Sequence, residues 1–274
     1  MTWNAAPPPP PAPFGALGWA LVLVRGFALG TLVFGGLVVL LALRLVEWPL
    51  CGLRRPVTPH ITRGVCRLAF VVLGMGYVRV GQPMVGRGAV VANHASWLDI
   101  FALNAADTVY FVAKSEVAGW PGIGWLARAT GTLFIRRARI EAAQHRDMFH
   151  DRLVAGHRLV FFPEGTSTDG SRILPFKTTL FEAFFKGDMK NAMQLQAVTI
   201  IYSDPKGAAR GHYGWWGDMG FATHLLKTLA TPRQGKVTLI YHPPVAVSQV
   251  KDRKVLAQML WAQTNEALES VLNQ

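Results

Sequence analysis

The chain has 274 residues and a formal net charge of +12, from 28 Lys and Arg against 16 Asp and Glu. Only 16% of residues are charged and 51% are hydrophobic, with 9 Trp and 15 Phe, which excludes a disordered chain. Basicity with so few charges argues against an ordinary cytosolic enzyme and for work at an anionic membrane face, nucleic acid being the other polyanion that it admits.

Residues 1–14 hold six prolines, Pro7 to Pro11 and Pro13, and read as an extended tail. An apolar run from Phe14 to Val46 follows, and after Arg25 its stretch from Gly26 to Leu43 has 18 residues without a charge, about the minimum for crossing a bilayer. No Lys or Arg precedes the run and no small-residue cleavage site follows it, which argues against a signal peptide. Arg44, Arg54, Arg55, Arg63 and Arg67 come after it against the single acid Glu47, so the positive-inside rule leaves the C-terminal part in the cytoplasm. The alternative is a helix lying in the membrane surface with Arg25 snorkelling. Gly26 and Gly30 form a GxxxG pair. A second apolar stretch, Leu68 to Val78, is too short to cross and suits either a core helix or a surface segment.

Beyond about residue 85 the pattern changes to short β-branched or aromatic runs separated by helical stretches. The expected strands are Ala89–Ala92, Thr108–Ala113, Thr132–Arg136, Arg158–Phe162, Leu195–Tyr202 and Lys236–Tyr241. The expected helices are Ala138–Ala155, with Ala142, Phe149 and Leu153 on one stripe, Thr178–Phe185, and Val250–Leu272. Alternating strands and helices imply an α/β fold with a mostly parallel mixed sheet flanked by helices, preceded by an N-terminal membrane helix. The organisation read from this is a tail over 1–14, a membrane-anchoring helical region over 15–79, and an α/β domain over 80–274. Cys51 and Cys66 have no metal-ligand spacing and form no disulfide framework, so they read as inert thiols in a reducing compartment.

The sequence has no GxGxxG, GxxxxGK[ST], GxSxG, HExxH or CxxC, which removes the usual support for nucleotide, serine-hydrolase and zinc chemistry. Three other segments stand at the ends of expected strands, where α/β sheets build their sites. In Asn93-His94-Ala95-Ser96-Trp97-Leu98-Asp99, the aspartate can accept from one ring nitrogen of His94 and leave the other free to take a hydroxyl proton. On a regular helix residues five apart diverge by about 140°, so the pair meets only if His94 is on the loop and Asp99 in the following turn. The plainer reading is a helix start capped by Asn93 or Ser96, with Asp99 at the helix dipole. Phe161-Phe162-Pro163-Glu164-Gly165-Thr166-Ser167-Thr168 offers polar groups beside a glycine that lets a ligand approach, or a simple turn. Gly131-Thr132-Leu133-Phe134-Ile135-Arg136-Arg137 ends in arginines suited to a phosphate or carboxylate, or merely solvated.

Taken together and in this order, NHASWLD, GTLFIRR and FPEGTS resemble the signature blocks of the glycerolipid acyltransferases, the lysophosphatidic acid acyltransferase type, over about residues 80–245. The resemblance implies that His94 is the general base and Asp99 its orienting partner. It implies that Arg136, Glu164, Gly165 and Thr166 line the acceptor's head-group pocket and that Lys114 contacts its phosphate. It implies direct attack on an acyl thioester of acyl-carrier protein or coenzyme A, without metal or cofactor, by an enzyme at the cytoplasmic face of the inner membrane whose partners are membrane lipids and a lysolipid. The family default is lysophosphatidic acid in phospholipid biosynthesis. Two departures bear on it: Ser167 stands where the third block usually continues with arginine, and Ala197 where the fourth usually has proline. Phe111–Glu116, Trp120-Pro121, Pro175-Phe176-Lys177 and Trp216–Met219 also resemble the bacterial branch that includes lyso-ornithine lipid acyltransferases, so that acceptor stands as the alternative. A non-enzymatic binder of anionic lipid or nucleic acid, and a hydrolase in which His94 activates water, are the rival classes. Of the other histidines, scattered surface or core positions, His224 is the one singled out for a pocket role.

Overall fold

The computed structural model describes residues 13–136 and 142–273, so nearly all of the proline-rich tail and Arg137 lie outside the described residues. The apolar run forms α1 (Ala16–Cys51), long and apolar enough to cross a membrane. It ends at Gly52, whose φ of 59° favours glycine, and α2 (Thr58–Leu73) opens with Pro59, where no backbone donor is needed. The stretch Leu68–Val78 is therefore neither of the expected units. Gly74, in the left-handed conformation, divides it between the end of α2 and the edge strand β1 (Gly76–Val80).

The remaining elements are β2 (Gly88–Ala92), α3 (Leu98–Ala106), β3 (Tyr110–Lys114), α4 (Ile123–Thr130), β4 (Leu133–Ile135), α5 (Ala142–Val154) and β5 (Leu159–Phe161). They continue through the short α6 (Met189–Ala192), β6 (Gln194–Ser203), α7 (Phe221–Ala230), β7 (Lys236–Tyr241), β8 (Val245–Ala246) and α8 (Arg253–Leu272). The six expected strands agree with β2 to β7 to within two residues at each end. Thr178–Phe185 is a 3-10 turn over Leu180–Phe185 rather than an α-helix, and α3, α4 and α7 went unread. Seven of the nine residues of α3 are buried, so no polar stripe marks its period.

The sheet runs β1-β7-β6-β2-β5-β3-β4, with β8 beside β6. It is parallel except where β6 meets β7 and β8. All five residues of β2 are buried, which is why it reads as a continuous apolar run. Val90 and Ala92 face a core built with Phe70, Leu103 and Leu229, from α2, α3 and α7. Ala89 and Val91 face a second core with Phe149, Phe181, Met189 and Leu256, from α5, the 3-10 turn, α6 and α8.

Helix α1 lies against the first of these layers. Gly18 meets Ala230, and the Arg25 guanidinium donates to the carbonyls of Leu229 (3.0 Å) and Thr231 (2.6 Å) at the end of α7. Further along, a Cβ on Gly36 would come within 2.5 Å of Val65 of α2, and Glu47 accepts from the Thr58 hydroxyl at 2.6 Å. Arg25 thus satisfies helix-end carbonyls instead of snorkelling. The close approach uses Gly36; Gly30 meets nothing within 4 Å. The outer side of α1 stays apolar and exposed, Phe27 and Leu45 each at 80%.

Candidate active site

Strands β2, β5, β3 and β4 are parallel and adjacent, so the segments that follow them leave the sheet at one edge. Val91 is in register with Phe161, which brings His94 beside the Phe162–Thr166 turn. This is the crevice outside the carboxyl ends of the strands where such sheets bind ligands.

His94 sits in the loop and Asp99 in the first turn of α3, the arrangement that a spacing of five requires. His94 Nδ1 donates to Asp99 Oδ2 at 2.7 Å. That same oxygen accepts from the backbone N–H groups of Ala95 (2.9 Å) and Ser96 (3.0 Å), while Oδ1 accepts from the Tyr202 hydroxyl at 2.6 Å. Asp99 is fully buried and the His94 side chain is 19% exposed, so the carboxylate holds the ring and the ring faces the cavity. The imidazole also stacks on Phe162, with ring centroids 4.1 Å apart and planes 12° apart. With Nδ1 occupied, Nε2 is the nitrogen left to exchange a proton with a ligand. Burial, followed by the nearby Asp99, raises the Tyr202 phenol well above its ordinary range, so it remains a donor.

Glu164 plays a part different from the head-group contact that its motif suggested. It is 1% exposed, and its oxygens accept from the backbone N–H groups of His94 and Leu174, each at 2.7 Å. It fastens the His94 loop to the turn after β5 and does not line the cavity. Burial pushes its carboxyl up to about 8 against the pull of those two donors. Gly165, at φ 73°, makes the turn, its N–H donating to the Phe162 carbonyl. Gly165, Thr166, Lys114 and Arg136 all line the cavity.

The cavity measures about 1900 Å³. Leu29, Val33 and Leu37 of α1 and Val65 of α2 line an apolar part, while Lys114, Glu116 and Arg136 supply both signs of charge. Trp215, Trp216 and Gly217 add a further wall, where Ser167 donates to the Trp215 carbonyl. His224 does not line it: Nδ1 accepts from Trp97 Nε1 at 2.9 Å, and burial drops the ring to about 3, so it is a neutral tie between α7 and α3. Among the described residues, no three His, Cys, Asp or Glu side chains converge as a metal site. Tyr202 was the residue that sequence reasoning missed. Nothing in the sequence links a strand-end tyrosine to an aspartate 103 positions earlier; only the sheet does.

An acyltransferase family model matches residues 74–203. The lyso-ornithine lipid O-acyltransferase of Rhodobacter capsulatus is 52% identical over 93% of this chain and 92% of its own. The 1-acyl-sn-glycerol-3-phosphate acyltransferase of Neisseria meningitidis is 34% identical over 62% of this chain and 65% of its own. Among solved structures, the 1-acyl-sn-glycerophosphate acyltransferase of Thermotoga maritima superposes with a TM-score of 0.65 at 22% identity, covering 94% of this chain and 97% of that one. That likeness establishes the same fold.

Proposed function

The chain belongs to the acyltransferase family and is an acyltransferase of lysolipids; from that premise we propose that its acceptor is lyso-ornithine lipid. The observation that carries this reading is the 52% identity, over nearly the whole of both chains, to a protein of that name. It favours this acceptor over lysophosphatidic acid, the family default, whose named relative in Neisseria matches less closely and over less of the chain. The pocket chemistry supports the change. Ornithine brings a carboxylate and an ammonium in place of a phosphate monoester, and Glu116 lines the cavity together with Lys114 and Arg136. The hydroxyl of Ser167, standing where the family pattern has a cation, is turned to the Trp215 carbonyl.

In the proposed reaction, His94 Nε2 takes the acceptor's hydroxyl proton while the oxygen attacks the thioester carbonyl. The tetrahedral intermediate then expels the thiolate, which receives the proton from His94, and the products are an ester and a thiol. Asp99 fixes the tautomer and steadies the imidazolium, as a buried carboxylate does for a histidine base. Tyr202 holds Asp99 from its other side. The acyl chain lies in the apolar part of the cavity between α1 and α2. These helices set their exposed apolar faces into the cytoplasmic leaflet of the inner membrane, α1 staying docked on the domain through Arg25 and Gly36.

The test is acyl transfer from a labelled palmitoyl thioester to lyso-ornithine lipid by the detergent-solubilised protein. The wild type is expected to form product, and His94→Ala to lose about 10²–10⁴-fold in turnover with its melting temperature kept. Equal turnover by the two proteins would overturn the assignment of the base.

A further inference from the structure

Two indole rings meet nearly at right angles in the wall of the cavity. Trp120 and Trp215 both line it, with ring centroids 6.3 Å apart and planes at 83°. The polar atoms of Trp215 are all committed. Its backbone N–H donates to the carbonyl of Ala95, the residue after His94, at 2.8 Å, and its indole N–H donates to the Met219 carbonyl at 2.8 Å. Its own carbonyl accepts from the Ser167 hydroxyl. What Trp215 has left for a ligand is its ring. Trp120 follows a 3-10 turn over Ser115–Gly119, its N–H donating to the Val117 carbonyl at 3.1 Å and its carbonyl accepting from Gly124 at 2.8 Å. A Cβ on Gly124 would come within 2.2 Å of the Ala118 carbonyl oxygen, so this tight return of the chain, which sets Trp120 in place, needs glycine there.

Glu116 lies on the same 3-10 turn and also lines the cavity. Among the described residues, the other carboxylate lining it is Glu182, which pairs with Lys186 at 3.1 Å and with Arg253. Glu116 forms no ion pair with a described residue. Lys114, the last residue of β3, is in register with Ile135, so Arg136 leaves β4 beside it. Cations therefore stand at two adjacent strand ends, and a carboxylate and an aromatic corner follow Lys114 along the chain.

We propose that Trp120, Trp215 and Glu116 form the subsite for the acceptor's side-chain ammonium, which makes them determinants of head-group specificity. The inference rests on the lyso-ornithine reading above and names the groups that bind the positive end of that acceptor. The face of an indole attracts an alkylammonium, more strongly than any other side-chain ring. A carboxylate without a partner favours the same charge. A phosphate monoester gains nothing from an indole face and is repelled by Glu116. Lys114 and Arg136 remain for the carboxylate of the same head group. Position 167, which carries a cation in the family pattern, here holds the backbone of Trp215 through the Ser167 hydroxyl.

The experiment measures acyl transfer by the full-length protein in detergent from one labelled palmitoyl thioester to three acceptors. These are lyso-ornithine lipid, the same lipid with its side-chain amine acetylated, and the same lipid with that amine trimethylated, which keeps the charge and loses every N–H. In the wild type, kcat/KM for the trimethylated acceptor should stay within about threefold of the parent, and the acetylated one should be about tenfold or more worse. Trp120→Leu, at a ring 40% exposed, should raise KM for lyso-ornithine lipid about tenfold, with kcat and the donor KM within about twofold and the melting temperature kept. Trp120→Phe should fall between wild type and Trp120→Leu, and Glu116→Gln should show the same selective loss. None of the variants should change kcat/KM for the acetylated acceptor by more than about twofold. An acetylated acceptor used as well as the parent, or variant losses equal for both acceptors or absent for both, would overturn the subsite and leave the acceptor reading standing. A trimethylated acceptor as poor as the acetylated one would overturn the part given to the indoles. A wild type that does not acylate lyso-ornithine lipid would overturn the acceptor reading itself.

Discussion

Asp99 receives four hydrogen bonds, from His94, Ala95, Ser96 and Tyr202, and each tests a different part of the site. Tyr202→Phe removes one donor and leaves the ring volume in place. We expect kcat to fall about tenfold with the donor KM unchanged, as the loss of an outer partner that orients an active group costs. Unchanged kcat would confine the phenol to a packing role. Asp99→Asn is harsher, because an amide has one acceptor oxygen for a site that meets N–H and O–H groups on both of its oxygens. Activity should approach that of His94→Ala, and the melting temperature should drop as well, since a buried donor left unpaired costs about 1–3 kcal/mol. Glu164 supplies the pH test. Its folded value of about 8 lies above the ordinary 4.5, so between these the folded chain holds a proton that the unfolded chain has released. Its contribution is therefore greatest at low pH and declines as pH rises toward 8. The buried His157 and half-buried His212, lowered to about 4, and the buried His224, lowered to about 3, act with the opposite sign below their ordinary 6.5 and fall silent above it. Above pH 6.5 the melting temperature should fall toward pH 8.5 in the wild type, and fall less in Glu164→Gln. Parallel slopes would contradict this account of Glu164.

At the scale of elements, α1 is held to the catalytic domain by contacts spread along its length. Arg25 bonds the end of α7, where a charged donor to a carbonyl contributes about 1.5–3 kcal/mol. Gly36 allows α2 to approach closely. Gly36→Leu should separate the two helices and lower the melting temperature in detergent, whereas Gly30→Leu, with open space around it, should change it little. Equal effects at both positions would contradict the packing seen here. The sequence made some of this legible and hid the rest for physical reasons. Strands β2 to β7 were readable because buried parallel strands are apolar, short and bounded by turn residues. Helix α3 was not, because burial on nearly every side erases its polar stripe. The edge strand β1 was masked by the apolar end of α2, and only Gly74 marks the break. His94 and Asp99 were legible from a local motif, and the structure supplies the loop-to-helix geometry that their spacing needs. Tyr202 arrives through sheet pairing, which no local pattern encodes.

For the whole molecule, the cavity that contains His94 is lined on one side by α1 and α2, whose outer faces are apolar. Arg54 and Arg67 are exposed in and after the α1–α2 connection, and each basic residue near the surface adds about 1 kcal/mol toward anionic lipid. Flotation with vesicles should therefore remain strong at high salt for zwitterionic lipid, through apolar burial, and gain a salt-sensitive increment when anionic lipid is added. Binding that vanishes at high salt would contradict an apolar anchor. The central claim concerns the acceptor, and the most direct measurement is a competition in which purified protein, one acyl donor and equal amounts of lyso-ornithine lipid and lysophosphatidic acid are incubated together. The account predicts that label enters the ornithine lipid first and predominantly. Preferential labelling of phosphatidic acid would contradict it and return the pocket to a phosphate-bearing acceptor.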